Sequence, residues 1–175
     1  LNRKKQYVFV FNHLSYLDIP VLMKAIPTQY FRVLGKAELS KIPIFGFLYK
    51  NAVISVDRSN VANRAKSVQQ LKAFLRKGIS IVLSPEGTFN MTHKPLKDFY
   101  DGAFKLAIET QKPIIPVVLL NTKKVLPAYP IMCFKPGKIQ MDILTPIPSE
   151  GHTVQSLKQT AFDIMSAHYK MNNPA

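Results

Sequence analysis

The chain of 175 residues is poor in acid, nearly free of cysteine and without long apolar runs. Only 10 residues are Asp or Glu against 24 Lys and Arg, a formal net charge of +14. Such an excess concentrates anionic partners at a surface. Nucleic acid, anionic lipid head groups and phosphorylated small molecules such as a coenzyme A thioester all qualify. The one cysteine, Cys133, excludes an intramolecular disulfide and a Cys-rich metal cage. It sits in the apolar stretch Ile131-Met132-Cys133-Phe134, where a buried small hydrophobe is expected rather than a nucleophile. No apolar run approaches the roughly 18 residues that span a bilayer, and the longest candidate, Ile114 to Leu120, contains Pro116. No signal peptide is visible. P-loop and Gly-x-Gly-x-x-Gly patterns are missing, so nucleotide hydrolysis and Rossmann redox chemistry have no support. His93, His152 and His168 are far apart and lack metal-ligand spacing, so no metal site is expected.

What is present is a foldable apolar content. Hydrophobic residues make up 47% of the chain and charged residues 19%, enough apolar surface for one core and too little charge for disorder. The length fits a single domain over residues 1–175. Tyr7 to Phe11, Tyr30 to Leu34, Ala52 to Val56, Ile79 to Leu83 and Ile114 to Leu120 read as buried strands, and Lys138 to Leu144 as a later, alternating one. Asp18 to Ala25, Ile42 to Lys50, Gly102 to Thr110 and Thr153 to Tyr169 read as helices. Asn60 to Lys77 is the clearest, with Val61, Ala65, Val68, Leu71 and Leu75 on one face and Gly78 as its stop. Ser84 to Phe99 is irregular. Strands alternating with helices predict a single-domain α/β fold with a largely parallel central sheet flanked by helices. Ligands bind such sheets at the carboxyl ends of the strands, where Asn12-His13, Arg58 and Ser84-Pro85-Glu86-Gly87 fall.

His13 and Asp18 are the residues best suited to chemistry. A histidine just past a strand, with a carboxylate five residues on at a helix start, can act as a base and its orienter, without a serine if the substrate brings its own hydroxyl. A helix-capping Asp beside an ordinary loop His is the plainer alternative, and Ser15 suits a helix N-terminal hydrogen bond better than nucleophilic attack. Arg58 can hold a phosphate through its planar fork, or pair with Asp57, or remain a solvated charge. Glu86 can accept hydrogen bonds from substrate hydroxyls, with Gly87 letting a ligand approach the backbone; otherwise the segment is a simple strand-to-loop turn.

The order of these blocks is more specific than any one of them. Asn12-His13-x₄-Asp18, Val56-Asp57-Arg58, Pro85-Glu86-Gly87-Thr88 and Pro113-Ile-Ile-Pro116 together resemble the glycerolipid acyltransferase family, best known for 1-acyl-glycerol-3-phosphate acyltransferases. The resemblance runs from about Tyr7 to Thr145. It implies a glycerolipid acyltransferase-like fold in which His13 deprotonates the acceptor hydroxyl and Asp18 orients His13. Arg58 binds an acceptor phosphate, and Glu86, Gly87 and Thr88 line the acceptor site. The alkoxide attacks the thioester directly, with acyl-CoA or acyl carrier protein (acyl-ACP) as co-substrate, no cofactor and no metal. The implied partners are a lysophospholipid-type acceptor and an anionic membrane surface rather than nucleic acid. The implied location is the cytoplasmic face of the membrane, peripheral or anchored through an N-terminal hydrophobic segment that this chain does not contain.

Two positions depart from the family. Phe89 stands where arginine usually follows Gly-Thr, and Tyr100-Asp101 where a basic residue is common. Both remove positive charge from the expected phosphate region, which brings other lysophospholipids and acylated amino-acid lipids into view as acceptors. A non-enzymatic basic membrane-binding module and a thioester hydrolase are the competing readings. The first leaves His13, Asp18 and Glu86 without a task, and the second needs water as acceptor.

Overall fold

Apolar runs too short for helices assemble here into one sheet. The computed structural model describes residue 2 and residues 5–26, 30–36, 53–56, 61–129 and 133–173. The strands are β1 (Val8–Phe11), β2 (Phe31–Lys36), β3 (Val53–Val56), β4 (Ser80–Leu83), β5 (Ile114–Leu120) and β6 (Gln140–Ile143), in the order β3-β2-β4-β1-β5-β6. All neighbouring pairs are parallel except β5–β6, which is antiparallel. The helices are α1 (Asp18–Ala25), α2 (Val61–Arg76), α3 (Gly102–Thr110), α4 (Thr122–Val125) and α5 (Val154–Asn172). The α/β architecture with a largely parallel sheet is therefore present. The helix expected over Ile42 to Lys50 lies outside the described residues, and the one-turn α4 was not foreseen.

Uniformly apolar strands are what a sheet covered on both faces requires. Alternation then sorts their side chains into two layers. Val8, Val10, Ile81, Leu83, Ile114, Val118 and Leu120 pack with Leu71, Leu75, Phe104, Leu157 and Met165 from α2, α3 and α5. Phe9, Phe11, Val82, Ile115, Val117 and Leu119 pack on the other side with Leu22 and Ile26 of α1 and its exit. Gly78, at φ 84°, ends α2 in the left-handed conformation that glycine adopts without strain. Thr153 and Ser156 form a reciprocal capping box at the start of α5.

Pro116 lies inside a central strand without breaking it. Its carbonyl accepts from Leu144 N–H at 2.9 Å, on the β6 side. The missing N–H points the same way, so it costs a bond only at the end of the edge strand and leaves the pairing with β1 intact.

One expectation is corrected. Cys133 is exposed, not buried. Residues 133–138 pair with no strand and run along the surface, which leaves Cys133 and Phe134 outside the core.

Candidate active site

Because β1 pairs with β4 on one side and β5 on the other, the carboxyl ends of β1 and β4 are adjacent, with Val10 beside Leu83. The chain leaves these strands toward opposite faces of the sheet, to α1 on one and α3 on the other, the arrangement that in such sheets forms a crevice at the strand ends. Asn12-His13 leaves β1 into that crevice and Ser84–Phe89 leaves β4 into it.

Asn12 fixes the exit of β1. It is fully buried, its side-chain amide donates to Leu119 O at 2.9 Å and its carbonyl oxygen accepts from Leu119 N–H at 2.7 Å. The carboxamide thus imitates a peptide group and extends the sheet by one side chain. An asparagine directly after an all-apolar strand was the only sequence signal for this clamp.

His13 Nδ1 lies 2.8 Å from Asp18 Oδ2. The same oxygen accepts from Leu14 N–H at 2.7 Å and Ser15 N–H at 2.8 Å. Asp18 is fully buried, and Oδ1 has no hydrogen-bond partner among the described residues. Two backbone donors converging on Oδ2 make it an acceptor, so the hydrogen shared with His13 belongs to Nδ1. Nε2 then carries the lone pair, and it has no hydrogen-bond partner among the described residues. The five-residue spacing works because residues 13–17 wrap around the carboxylate that opens α1. The His13 side chain is 20% exposed, enough to meet a substrate.

Ser15 is structural. It is buried, its hydroxyl donates to Leu126 O at 2.6 Å and accepts from Leu17 N–H at 3.0 Å. The Leu17 bond is the helix N-terminal role expected of it, whereas the Leu126 bond ties the loop to a segment 111 residues away.

Glu86 lies beside His13 and is held by backbone groups. It is fully buried. One carboxyl oxygen accepts from His13 N–H at 3.3 Å and the other from Lys97 N–H at 3.4 Å. In this arrangement it braces the His13 loop against the loop after β4. Burial pushes its carboxyl up to about 8, helped by the nearby Asp18 carboxylate. The Lys97 and His13 backbone N–H groups and the Lys97 ammonium oppose that rise without cancelling it.

Gly87 takes the turn at φ 72°, a conformation that suits glycine, and its N–H donates to Ser84 O at 3.3 Å. Thr88 is exposed beside it. Asn90 N–H then donates to His13 O at 2.7 Å, a second tie between the two loops. Between them Phe89 packs on the imidazole, its ring centre 4.1 Å from that of His13, and on Tyr16 at 4.8 Å. An apolar ring therefore occupies the position where an arginine was the more familiar residue. Arg58 and Asp57 lie outside the described residues. His13, Asp18, Glu86, Gly87, Thr88 and Phe89 are brought together, and Asp101 points elsewhere, paired with Lys158 at 2.6 Å.

Among the described residues no three His, Cys, Asp or Glu side chains gather as a metal-ion cage. What the site presents is an oriented imidazole base with a free nitrogen in a crevice, suited to taking a proton from a hydroxyl group.

Known proteins resemble this chain in sequence and in fold. A family model described as Acyltransferase matches residues 1–120. An uncharacterized acyltransferase of Schizosaccharomyces pombe is 34% identical over 176 residues, covering 99% of this chain and 61% of that protein. The 1-acyl-sn-glycerol-3-phosphate acyltransferase beta of Homo sapiens is 29% identical over 160 residues, covering 87% of this chain and 55% of its own length. The crystal structure of the 1-acyl-sn-glycerophosphate acyltransferase PlsC from Thermotoga maritima superposes with a TM-score of 0.84 at 22% identity, over 99% of this chain and 69% of that one. The chain thus spans little more than half the length of the two curated relatives.

Proposed function

The chain belongs to the acyltransferase family, and from that premise we propose that it transfers a fatty acyl group from acyl-CoA or acyl-ACP to the hydroxyl of 1-acyl-glycerol-3-phosphate, forming phosphatidic acid in phospholipid biosynthesis. The observation that carries this reading is the 2.8 Å contact of His13 Nδ1 with a buried Asp18, which leaves Nε2 as the base.

In the proposed reaction Nε2 takes the hydroxyl proton as the substrate oxygen attacks the thioester carbonyl carbon. Asp18 holds the imidazole in the required tautomer and stabilises the imidazolium that forms. The tetrahedral intermediate collapses with cleavage of the C–S bond, and the imidazolium returns its proton to the departing thiolate. The acyl group passes directly to the acceptor, with no covalent acyl-enzyme. Arg58 is assigned to an acceptor phosphate, Gly87 and Thr88 to the acceptor wall, and Glu86 to holding the His13 backbone. The enzyme works at the cytoplasmic face of a membrane, where its acceptor resides. No helix among the described residues is long and apolar enough to cross it.

A second reading draws on Phe89. An aromatic ring 4.1 Å from the imidazole offers a phosphate no positive charge, which favours another lysophospholipid or an acylated amino-acid lipid as acceptor. The deciding experiment measures acyl transfer from acyl-CoA and acyl-ACP to a panel of these acceptors. Transfer requiring His13 supports the enzyme; an undiminished rate in His13→Ala sinks the mechanism. Free fatty acid released equally fast without any acceptor assigns a hydrolase instead.

A further inference from the structure

From Thr110 to Met141 the chain carries five lysines and no acidic residue. Four of them, Lys123, Lys124, Lys135 and Lys138, are exposed, and residues 133–138 are exposed without interruption. Tyr129 and Phe134 stand among them with 64% and 66% of their surface open to solvent. A lone exposed ring is ordinary. Two large rings within an unopposed lysine field have the composition of a surface that meets an anionic bilayer, where aromatic rings lodge at the head-group level and ammonium groups meet anionic head groups.

The same segment is fastened to the catalytic loop. Ser15 Oγ donates to Leu126 O at 2.6 Å, and the Tyr16 and Tyr129 hydroxyls hydrogen-bond to each other. Tyr16 packs on Phe89 and Phe89 on His13, at 4.8 and 4.1 Å between ring centres. The Lys135 N–H donates to Val125 O at 2.8 Å and ties the exposed stretch back to α4. A chain of side chains therefore runs from the exposed Tyr129 to the imidazole.

We propose that the face formed by Lys123, Lys124, Tyr129, Phe134, Lys135 and Lys138 docks on an anionic lipid bilayer and thereby holds His13 at the surface from which its acceptor comes. This rests on the acyl-transfer reading for its purpose, but not for its test. Charge complementarity selects the occupant. Among the described residues none of the four lysines is held in an ion pair, Lys124 meeting only the amide oxygen of Asn173 at 3.4 Å; such ammonium groups suit a plane of anionic head groups, and Phe134 gains contact with acyl chains.

The test is co-sedimentation of the protein with vesicles of equimolar phosphatidylglycerol and phosphatidylcholine, and with pure phosphatidylcholine. Wild type binds the mixed vesicles, more weakly as salt rises, and leaves the neutral ones. Each lysine near such a surface is worth roughly fivefold in binding. The combined variant Lys123→Glu, Lys124→Glu, Lys135→Glu, Lys138→Glu therefore loses at least about a hundredfold, and Phe134→Ser about tenfold. Both keep the wild-type transfer rate toward a short-chain lysophospholipid below its micelle concentration. Unchanged vesicle binding in the four-lysine variant overturns the proposal. So does equally tight binding of single-stranded oligonucleotide through the same lysines, and so does vesicle-free dimerisation abolished by Phe134→Ser, which assigns the face to a second copy. Vesicle binding that follows these residues in a protein that transfers no acyl group supports the docking face while sinking the acyl-transfer reading.

Discussion

Among the described residues stand two histidine–carboxylate pairs with the same separation and different surroundings. His13 Nδ1 meets Asp18 at 2.8 Å, and His168 Nε2 meets Asp142 at 2.8 Å. Asp18 is fully buried and takes two further backbone N–H groups on the same oxygen. Asp142 is 26% exposed, and among the described residues its contacting oxygen takes in addition the side-chain amide of Gln140, at 2.8 Å, and no backbone N–H. One pair stands at the carboxyl ends of the central strands; the other joins α5 to the edge strand β6. The distance is therefore uninformative by itself. A carboxylate preset by backbone donors and removed from water holds an imidazole in one tautomer, whereas a partly exposed one trades its partner for solvent at little cost.

The largest test of this contrast is His13→Ala, expected to lower kcat by about 10²–10⁴-fold with stability nearly unchanged. Asp18→Ala should follow closely in activity. It should also cost about 1–3 kcal/mol in denaturant unfolding, because two backbone donors lose their acceptor. Phe89→Arg probes what covers the imidazole. It should shift the ratio of kcat/KM for phosphate-bearing over phosphate-free acceptors by about tenfold toward phosphate, the scale of one charge-assisted hydrogen bond.

Glu86→Gln tests the buried brace through pH. The folded state keeps the Glu86 proton up to about 8, while the unfolded chain releases it near 4.5. The group's contribution is thus fully present below about 4.5 and is lost as pH rises to about 8. Melting temperature should fall across that window in wild type and fall less in Glu86→Gln; identical slopes would remove the proton from the account. The smallest effect belongs to His168→Ala, expected to leave kcat within about twofold and to cost under ~1 kcal/mol. If it matched His13→Ala in activity, the contrast between the two pairs would collapse.

Much of this was legible in the residues. Helix limits at Asp18–Ala25 and Gly102–Thr110 and the strand Ile114–Leu120 coincide with their expected bounds, since periodicity, β-branching and nearby proline or glycine act locally. The His13–Asp18 contact was legible for the same reason: five residues of one loop suffice to form it. Four blocks in family order supplied the rest of the functional assignment. Cys133 was misread because an apolar tetrapeptide says nothing about whether a partner surface exists to cover it.

What the sequence alone determined is the set of parts: the uniformly apolar strands, the lysine-rich, acid-free stretch before Asp142, and a histidine with its carboxylate in one loop. Tertiary structure decided which parts meet. Glu86 reaches the His13 backbone across 73 residues only because β1 and β4 lie side by side. That adjacency, with the burial it entails, makes Glu86 a brace rather than a surface group. The same convergence of loops places Phe89 on the imidazole and ties Ser15 to Leu126. Contacts between loops depend on the order of strands in a sheet, which no local pattern of side chains encodes.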